Sequence, residues 1–242
     1  MLQELWPGGP RFKEAPGVHK IGADSVLLAN FAGAARLKKK SRAADLGCGS
    51  GIISILMALG DPGLYIDAVD ILPDAVRLAS ENVRLCELAD RITIIEGDLR
   101  GYREFLKSGA YDIVVSNPPY NARGSGKRAA NTGLAAAREE ESCTLDDLCR
   151  AAGYLTRSGG AFFMVHRPQR LAGIFRALSF SGFEPKRLRF VQHNIASKPS
   201  LVLLESRRGG GPSLETESPL ILYREDGSET DEIKVIYKRN QD

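Results

Sequence analysis

The chain has 242 residues, 43% hydrophobic and 26% charged, an ordinary balance for a soluble globular protein and enough for one large α/β domain with small additions. Its formal net charge of +3 permits a nucleic-acid partner without demanding one. No apolar run approaches the roughly 18 residues that a membrane span needs, Met1–Pro10 lacks the basic start and apolar core of a secretory leader, and Cys48, Cys86, Cys143 and Cys149 form no C-x-x-C pair, which argues against a zinc site and for reduced thiols in a cytosolic protein.

Residues 1–20 are polar and broken by Pro and Gly, and read as irregular chain or short strand. Ile21-Gly22-Ala23-Asp24-Ser25 then leads into Val-Leu-Leu-Ala-Asn-Phe-Ala. Asp24 or Ser25 is the expected N-cap, with Leu27, Leu28 and Phe31 on one helical face. Lys38-Lys39-Lys40 is expected to close that helix and complement its dipole.

The next stretch, Arg42-Ala-Ala-Asp45-Leu-Gly47-Cys-Gly49-Ser-Gly51-Ile-Ile, is an apolar strand entering a Gly-rich turn and then a helix. Glycines there let the backbone take positive φ and approach a ligand closely. The spacing is G-x-G-x-G, not the G-x-G-x-x-G of a dinucleotide fold, and no Lys-Ser/Thr follows as in a P-loop. An acid two positions before the first Gly disfavours a pyrophosphate and suits a nucleoside-type cofactor with a cationic centre. Leu64–Asp70 is a second strand ending in an acid, at the βαβ distance from which a carboxylate grips ribose hydroxyls. A helix starts at Pro73, a first-turn position that proline favours. Ile92–Asp98 is a third such strand, with Asp98 and the backbone of Leu99 placed to meet an adenine.

Tyr111–Ser116 is a buried fourth strand, and Asn117-Pro118-Pro119-Tyr120 stops it, because two prolines supply no ladder N–H. A residue before Pro is extended, so Asn117 stands straight at the strand's carboxyl end, where open α/β sheets bind ligands. The exocyclic nitrogen of adenine is a poor nucleophile because its lone pair is delocalised into the ring. The Asn117 amide oxygen and the Pro118 carbonyl can each accept one of its hydrogens and localise that pair, while Tyr120 stacks on the base, a contact worth roughly 1–3 kcal/mol. This is positioning and charge-directed hydrogen bonding, and needs no catalytic pKa.

Residues 121–133 are Gly-rich and basic and read as a loop in which Arg123, Lys127 and Arg128 hold RNA phosphates. Leu145–Leu155 is a helix capped by Thr144 or Asp146. Gly159-Gly160 turns into the strand Ala161–His166, with His166 a packed strand-end residue and Arg167 and Arg170 candidates to face RNA. A helix near 170–180 and the strands Phe183–Gln192 and Leu201–Ser206 complete a seven-stranded, Rossmann-like doubly wound sheet whose last pair is antiparallel. The expected division is 1–40 as an N-terminal cap and helix, 41–206 as the core, and 207–242 as an extension. That extension is read as a β-hairpin of Leu220–Tyr223 and Ile233–Tyr237 about a turn at Asp226-Gly227, and as a weak RNA-binding candidate.

The Asp45–Gly51 turn, Asp70, Asp98 and Asn117–Tyr120 resemble the ordered motifs of class I S-adenosylmethionine-dependent methyltransferases. The Asn-Pro-Pro-aromatic lip is similar to that of enzymes acting on a planar nitrogen: adenine, guanine or a glutamine amide. Lys20-Ile-Gly22-Ala-Asp24-Ser-Val-Leu-Leu, Ala137-Arg-Glu-Glu140, Cys143-Thr-Leu-Asp-Asp147 and His166-Arg-Pro-Gln-Arg-Leu171 resemble the bacterial tRNA1(Val) adenosine-37 N(6)-methyltransferase family, in its Gram-positive-type branch. The resemblance implies S-adenosylmethionine held by Gly22, Asp24, Asp45, Gly47, Gly49, Gly51, Asp70, Ile71, Asp98, Leu99 and Asn117. It implies a catalytic lip of Asn117, Pro118 and Tyr120 and tRNA as partner; Arg123, Lys127, Arg128 and Arg167 are the candidate RNA contacts, no metal is expected, and the oligomeric state, monomer or weak dimer, is left open. Methylation of rRNA guanine, DNA adenine or a protein glutamine, and a non-catalytic RNA-binding role, are the alternatives.

Overall fold

The computed structural model describes residues 2–18, 21–33, 40–120 and 143–239. Its central strands bury both faces, and the runs of Ala, Ile and Val along them are the reason: such runs suit a parallel sheet covered on two sides. On β3 (Ser41–Leu46), β6 (Tyr111–Ser116) and β7 (Thr156–His166), successive side chains enter opposite layers. Ala43, Ile113, Val115 and Phe163 join one core, and Ala44, Val114, Phe162 and Met164 the other.

The sheet runs β5 (Ile92–Glu96), β4 (Leu64–Asp70), β3, β6, β7, β9 (Leu201–Arg208), β8 (Phe183–Gln192). All are parallel except β9, which runs antiparallel between β7 and β8. Helices α1 (Ala23–Gly33), α2 (Ile52–Gly60) and α3 (Pro73–Leu85) cover one face, and α4 (Leu145–Leu155) and α5 (Leu171–Phe180) the other. This is the doubly wound sheet expected, with β3 and β6 flanking the point where the strand order reverses.

Several local expectations change. Helix α1 is buried nearly all round, taking in Val26, Ala29 and Ala32 as well as Leu27, Leu28 and Phe31, because the sheet, α2 and the C-terminal helix all pack on it. Lys38 and Lys39 lie outside the described residues, and Lys40 is an exposed bend before β3. Strand β7 begins at Thr156, and the expected turn at Gly159-Gly160 is a bulge within it, since Tyr111 pairs Thr156 but Ile113 pairs Ala161. The N-terminal stretch is a hairpin of β1 (Leu2–Glu4) and β2 (Arg11–Lys13).

The C-terminal hairpin is a correction. The turn at Asp226-Gly227 leaves only a Tyr223–Glu229 bridge, and residues 231–236 form a helix, α6 (Asp231–Ile236), N-capped by Thr230. The β-branched residues that suggested a strand sit there because Ile233 enters the α1 core, and tertiary packing overrides their propensity. Before it, β10 (Glu215–Thr216) and β11 (Leu220–Ile221) pair in parallel along the outer edge of β8.

Candidate active site

The carboxyl ends of β3, β4 and β6 meet at one rim. At the end of β3, Gly47, Gly49 and Gly51 take φ of +77°, +55° and +80°. A side chain at Gly47 or Gly49 would enter open space, whereas one at Gly51 would press Ala79 Cβ on α3 at 3.2 Å. All three glycines therefore serve backbone shape, and the third also serves packing. The turn is tied to β4: the Gly47 and Cys48 N–H groups both donate to the Val69 carbonyl at 2.9 Å, and Gly49 N–H donates to Asp70 at 2.8 Å. Asp70 also accepts from Leu72 N–H at 2.9 Å, and burial raises its pKa despite these bonds.

Asp45 lies fully buried under this turn. Ser54 on α2 donates to one oxygen at 2.7 Å, and Oδ1 has no partner among the described residues. Desolvation pushes its pKa up to about 7. An unmatched buried carboxylate beneath a turn that faces open space fits a ligand bearing positive charge, by through-space attraction and not by contact. Asp98 follows β5, the strand beside β4. It caps the short 3-10 turn Leu99–Glu104 through Arg100 N–H at 2.8 Å and pairs with the Arg100 guanidinium at 2.5–3.1 Å. That side-chain bond lowers its pKa and already engages the carboxylate.

The lip stands level with the glycine turn. Asp45 pairs Val115 across the ladder, and the buried Ser116 hydroxyl donates to the Leu46 carbonyl at 2.7 Å, so Asn117 emerges beside Gly47. Asn117 is half-buried, and its Nδ2 donates to Ser25 Oγ at 3.0 Å. The Tyr120 hydroxyl lies 2.6 Å from Asp24 Oδ2 and 2.8 Å from Asn117 Oδ1. Asp24 sits in the first turn of α1 and accepts Ser25 N–H at 2.8 Å. A Cβ at Gly22 would stand 2.4 Å from the Asp24 carboxylate, so a side chain there would press on the group that holds Tyr120. Burial, with Asp24 beside it, raises the Tyr120 pKa and keeps the phenol protonated.

Behind Tyr120, its ring tilts against His166 at 5.4 Å, and the Arg167 guanidinium covers it at 4.9 Å. Arg167 is held by the Ser200 carbonyl at 3.1 Å. His166 is buried, accepts the Arg167 N–H on Nδ1 at 2.8 Å, and is pushed down to about 4 by desolvation. It is a neutral packing residue, as the sequence suggested. Ile71 and Leu99 flank the rim, half-buried, while Arg123, Lys127, Arg128 and Lys20 lie outside the described residues.

Two residues escaped sequence reasoning. Ser25 reads only as a cap, yet it holds the Asn117 amide. Asn82 on α3 is wholly buried; it accepts Lys13 N–H at 2.7 Å and donates to the Lys13 and Ser50 carbonyls at 3.3 and 3.0 Å, joining the N-terminal hairpin to the glycine turn. A polar residue on the core face of an amphipathic helix was the available signal.

A family model described as Methyltransferase small domain matches residues 12–174. The chain is 34% identical over 213 residues to the tRNA1(Val) (adenine(37)-N6)-methyltransferase of Dickeya chrysanthemi (strain Ech1591), covering 85% of this chain and 81% of that protein. It is 36% identical over 166 residues to the protein of the same name from Yersinia pseudotuberculosis serotype O:3 (strain YPIII), covering 65% of this chain and 63%, under two thirds, of that one. Among solved structures it is similar to a predicted O-methyltransferase from Agrobacterium tumefaciens, with TM-score 0.72, 21% identity, and 89% and 95% of the two chains covered. It is also similar to a ribosomal protein L11 methylase from Lactobacillus delbrueckii subsp. bulgaricus, with TM-score 0.58, 19% identity, and 81% and 83% covered. These two likenesses support the fold. A sheet of this order, a glycine turn over a buried acid, and the sequence matches together place the chain in the methyltransferase small domain family, as a class I methyltransferase that uses S-adenosylmethionine.

Proposed function

We propose that this protein methylates the exocyclic N6 of an adenine in RNA, namely adenosine-37 in the anticodon loop of a tRNA. The observation that carries this is the Asn117–Tyr120 lip, locked by Ser116 level with the glycine turn. The names of the curated relatives point to the same base and the same RNA. An anticodon loop suits such a site because its bases are already unpaired.

Bound S-adenosylmethionine supplies an electrophilic methyl group on a sulfonium centre. Asp70 retains lone pairs for the ribose hydroxyls, Asp98 and Leu99 lie toward the adenine side with Ile71 between, and the Gly47–Gly51 turn gives the backbone close approach. The buried charge of Asp45 draws the cationic end, with Gly22 and Asp24 enclosing it. On the other side of the rim, Asn117 Oδ1 and the Pro118 carbonyl accept the two hydrogens of the substrate amine, and Tyr120 stacks on its ring. With the cofactor bound, the amine held by Asn117 and Pro118 would take the methyl group as its bond to sulfur breaks; the neutral thioether would leave, and the nitrogen's proton would pass to water. Neutral His166 supports the Tyr120 ring from behind and acts as no base. Arg167, free to turn its remaining N–H groups outward, meets a phosphate near the flipped base, and Arg123, Lys127 and Arg128 contribute in the same way.

Asn117→Ala is expected to leave cofactor binding within a few-fold while turnover falls by about 100-fold or more, the scale for removing one preorganised polar contact from a reacting centre. Labelled-methyl transfer onto tRNA from a strain lacking the enzyme, with the nucleoside identified by mass spectrometry, measures it. Unchanged turnover, or label on another nucleoside, overturns the reading.

A further inference from the structure

We propose that Ser25 is a positioning residue for the catalytic amide: its hydroxyl accepts the Nδ2 hydrogen of Asn117 and so leaves Oδ1 turned toward the substrate amine. This rests on the proposed role of Asn117 and adds a group that the lip motif does not contain.

An asparagine amide fits a site in two orientations, related by a half turn, that differ in which end offers the acceptor. Only one orientation of Asn117 can receive an N–H from a base. Two oxygens lie within reach of its side chain: Ser25 Oγ at 3.0 Å from Nδ2 and Tyr120 Oη at 2.8 Å from Oδ1. The phenol has a single proton and two acceptors to serve. The shorter contact, 2.6 Å to the Asp24 carboxylate, is charge-assisted and holds that proton. Asn117 Oδ1 receives the weaker share of that proton, through the 2.8 Å contact, and can exchange it for an incoming N–H.

Without the serine oxygen this balance reverses. Nδ2 would have one acceptor left in reach, the tyrosine oxygen, and turning the amide over to meet it would swing Oδ1 away from the base. Ser25 is suited to prevent this. It is 6% exposed, lies in the first turn of a helix buried nearly all round, and has its own N–H fixed by Asp24 at 2.8 Å. The hydroxyl is therefore stationary when Tyr120 moves to stack on a base.

The test is a set of three variants. Ser25→Ala should lower kcat by about tenfold, the worth of one good hydrogen bond, with KM for tRNA and cofactor affinity within about twofold. Ser25→Thr, which keeps the hydroxyl, should recover most of kcat. Ser25→Ala should lower kcat less in a Tyr120→Phe background than in wild type, because the oxygen that pulls the amide over is gone; a serine that merely packs would cost the same in both. Thermal melting identifies a variant that fails to fold, in which case Ser25→Cys, which keeps the volume but accepts only weakly, replaces it. The side-chain ¹⁵NH₂ resonance of Asn117 in the cofactor-free protein should shift in Ser25→Ala and return in Ser25→Thr, and this holds whatever nucleic acid the enzyme accepts. An unmoved amide resonance or an unchanged kcat in Ser25→Ala overturns the proposal. Failure of wild-type protein to label tRNA, with the resonance shift intact, would count against the proposed substrate alone.

Discussion

Burial of two titratable side chains near the rim gives the cofactor-free protein an unusual pH response. His166 titrates at about 4 in the fold but near 6.5 in an unfolded chain. Between these values the unfolded state holds the extra proton, so stability rises with pH, by about 3 kcal/mol over the window. Asp45 titrates at about 7 in the fold against an ordinary 3.8. There the folded state holds the extra proton, and stability falls as pH rises from about 4 to 7. Asp70, also raised by desolvation, acts in the same direction as Asp45. The opposing slopes largely cancel between about pH 4 and 6.5. Asp45→Asn should unmask a rise of stability with pH across that window, and His166→Asn should unmask a fall, both read from urea denaturation at several pH values relative to wild type. A parallel shift of the whole curve in either variant would show that the group does not titrate as its surroundings dictate.

Between elements, polar side chains do the joining that apolar packing cannot specify. The Thr144 hydroxyl and Asp147 carboxylate close a capping box on α4, a device visible as T-x-x-D in the sequence. Asn82 is the less visible case. It satisfies both backbone groups of Lys13 and the carbonyl of Ser50, so the hairpin and the glycine turn share one buried side chain. Asn82→Ala should cost about 2–3 kcal/mol, the penalty for stranding partly buried backbone groups. It should also weaken S-adenosylmethionine binding several-fold, since Ser50 lies within the turn. Urea denaturation and calorimetric titration measure the two effects. A loss of stability with cofactor affinity untouched would separate the hairpin from the turn.

Across the whole molecule, a charge network fastens the C-terminal extension to the sheet. Arg187 donates to Glu205 at 3.0 Å, Glu217 at 3.1 Å and the Phe31 carbonyl at 3.0 Å, with its guanidinium 3.9 Å from the Phe31 ring. Arg189 grips Glu232 on α6 at 2.6 and 2.8 Å and the Ser218 carbonyl at 2.9 Å. Two acids of the tail, Glu217 and Glu232, thus hold it in place, and β10 and β11 cover an edge of β8 that would otherwise invite pairing with another chain. Arg187→Ala should destabilise the protein by about 3 kcal/mol, because Glu205 is nearly buried and keeps only its contact with Arg207. Pairing it with Glu205→Gln should recover part of that loss. Equal losses in the single and double variants would show that the network packs and does not pair.

Much of this protein follows from local chemistry alone. Asp45, Asp70 and Asn117 end apolar runs too short for helices, and two prolines or three spaced glycines can only terminate or turn such runs, so the strands, their carboxyl rim and the residues on it are properties of the chain itself. What the chain could not decide concerns groups brought together from far apart. Ser25 meets Asn117 only because α1 docks over the end of β6, and residues 233–236 become a helix because Ile233 and Ile236 pack on the α1 core, although their β-branched character favours a strand. Hydrophobic periodicity encodes which face of an element is buried; it does not encode the partner that face meets, and the orientation of a single amide depends on the partner.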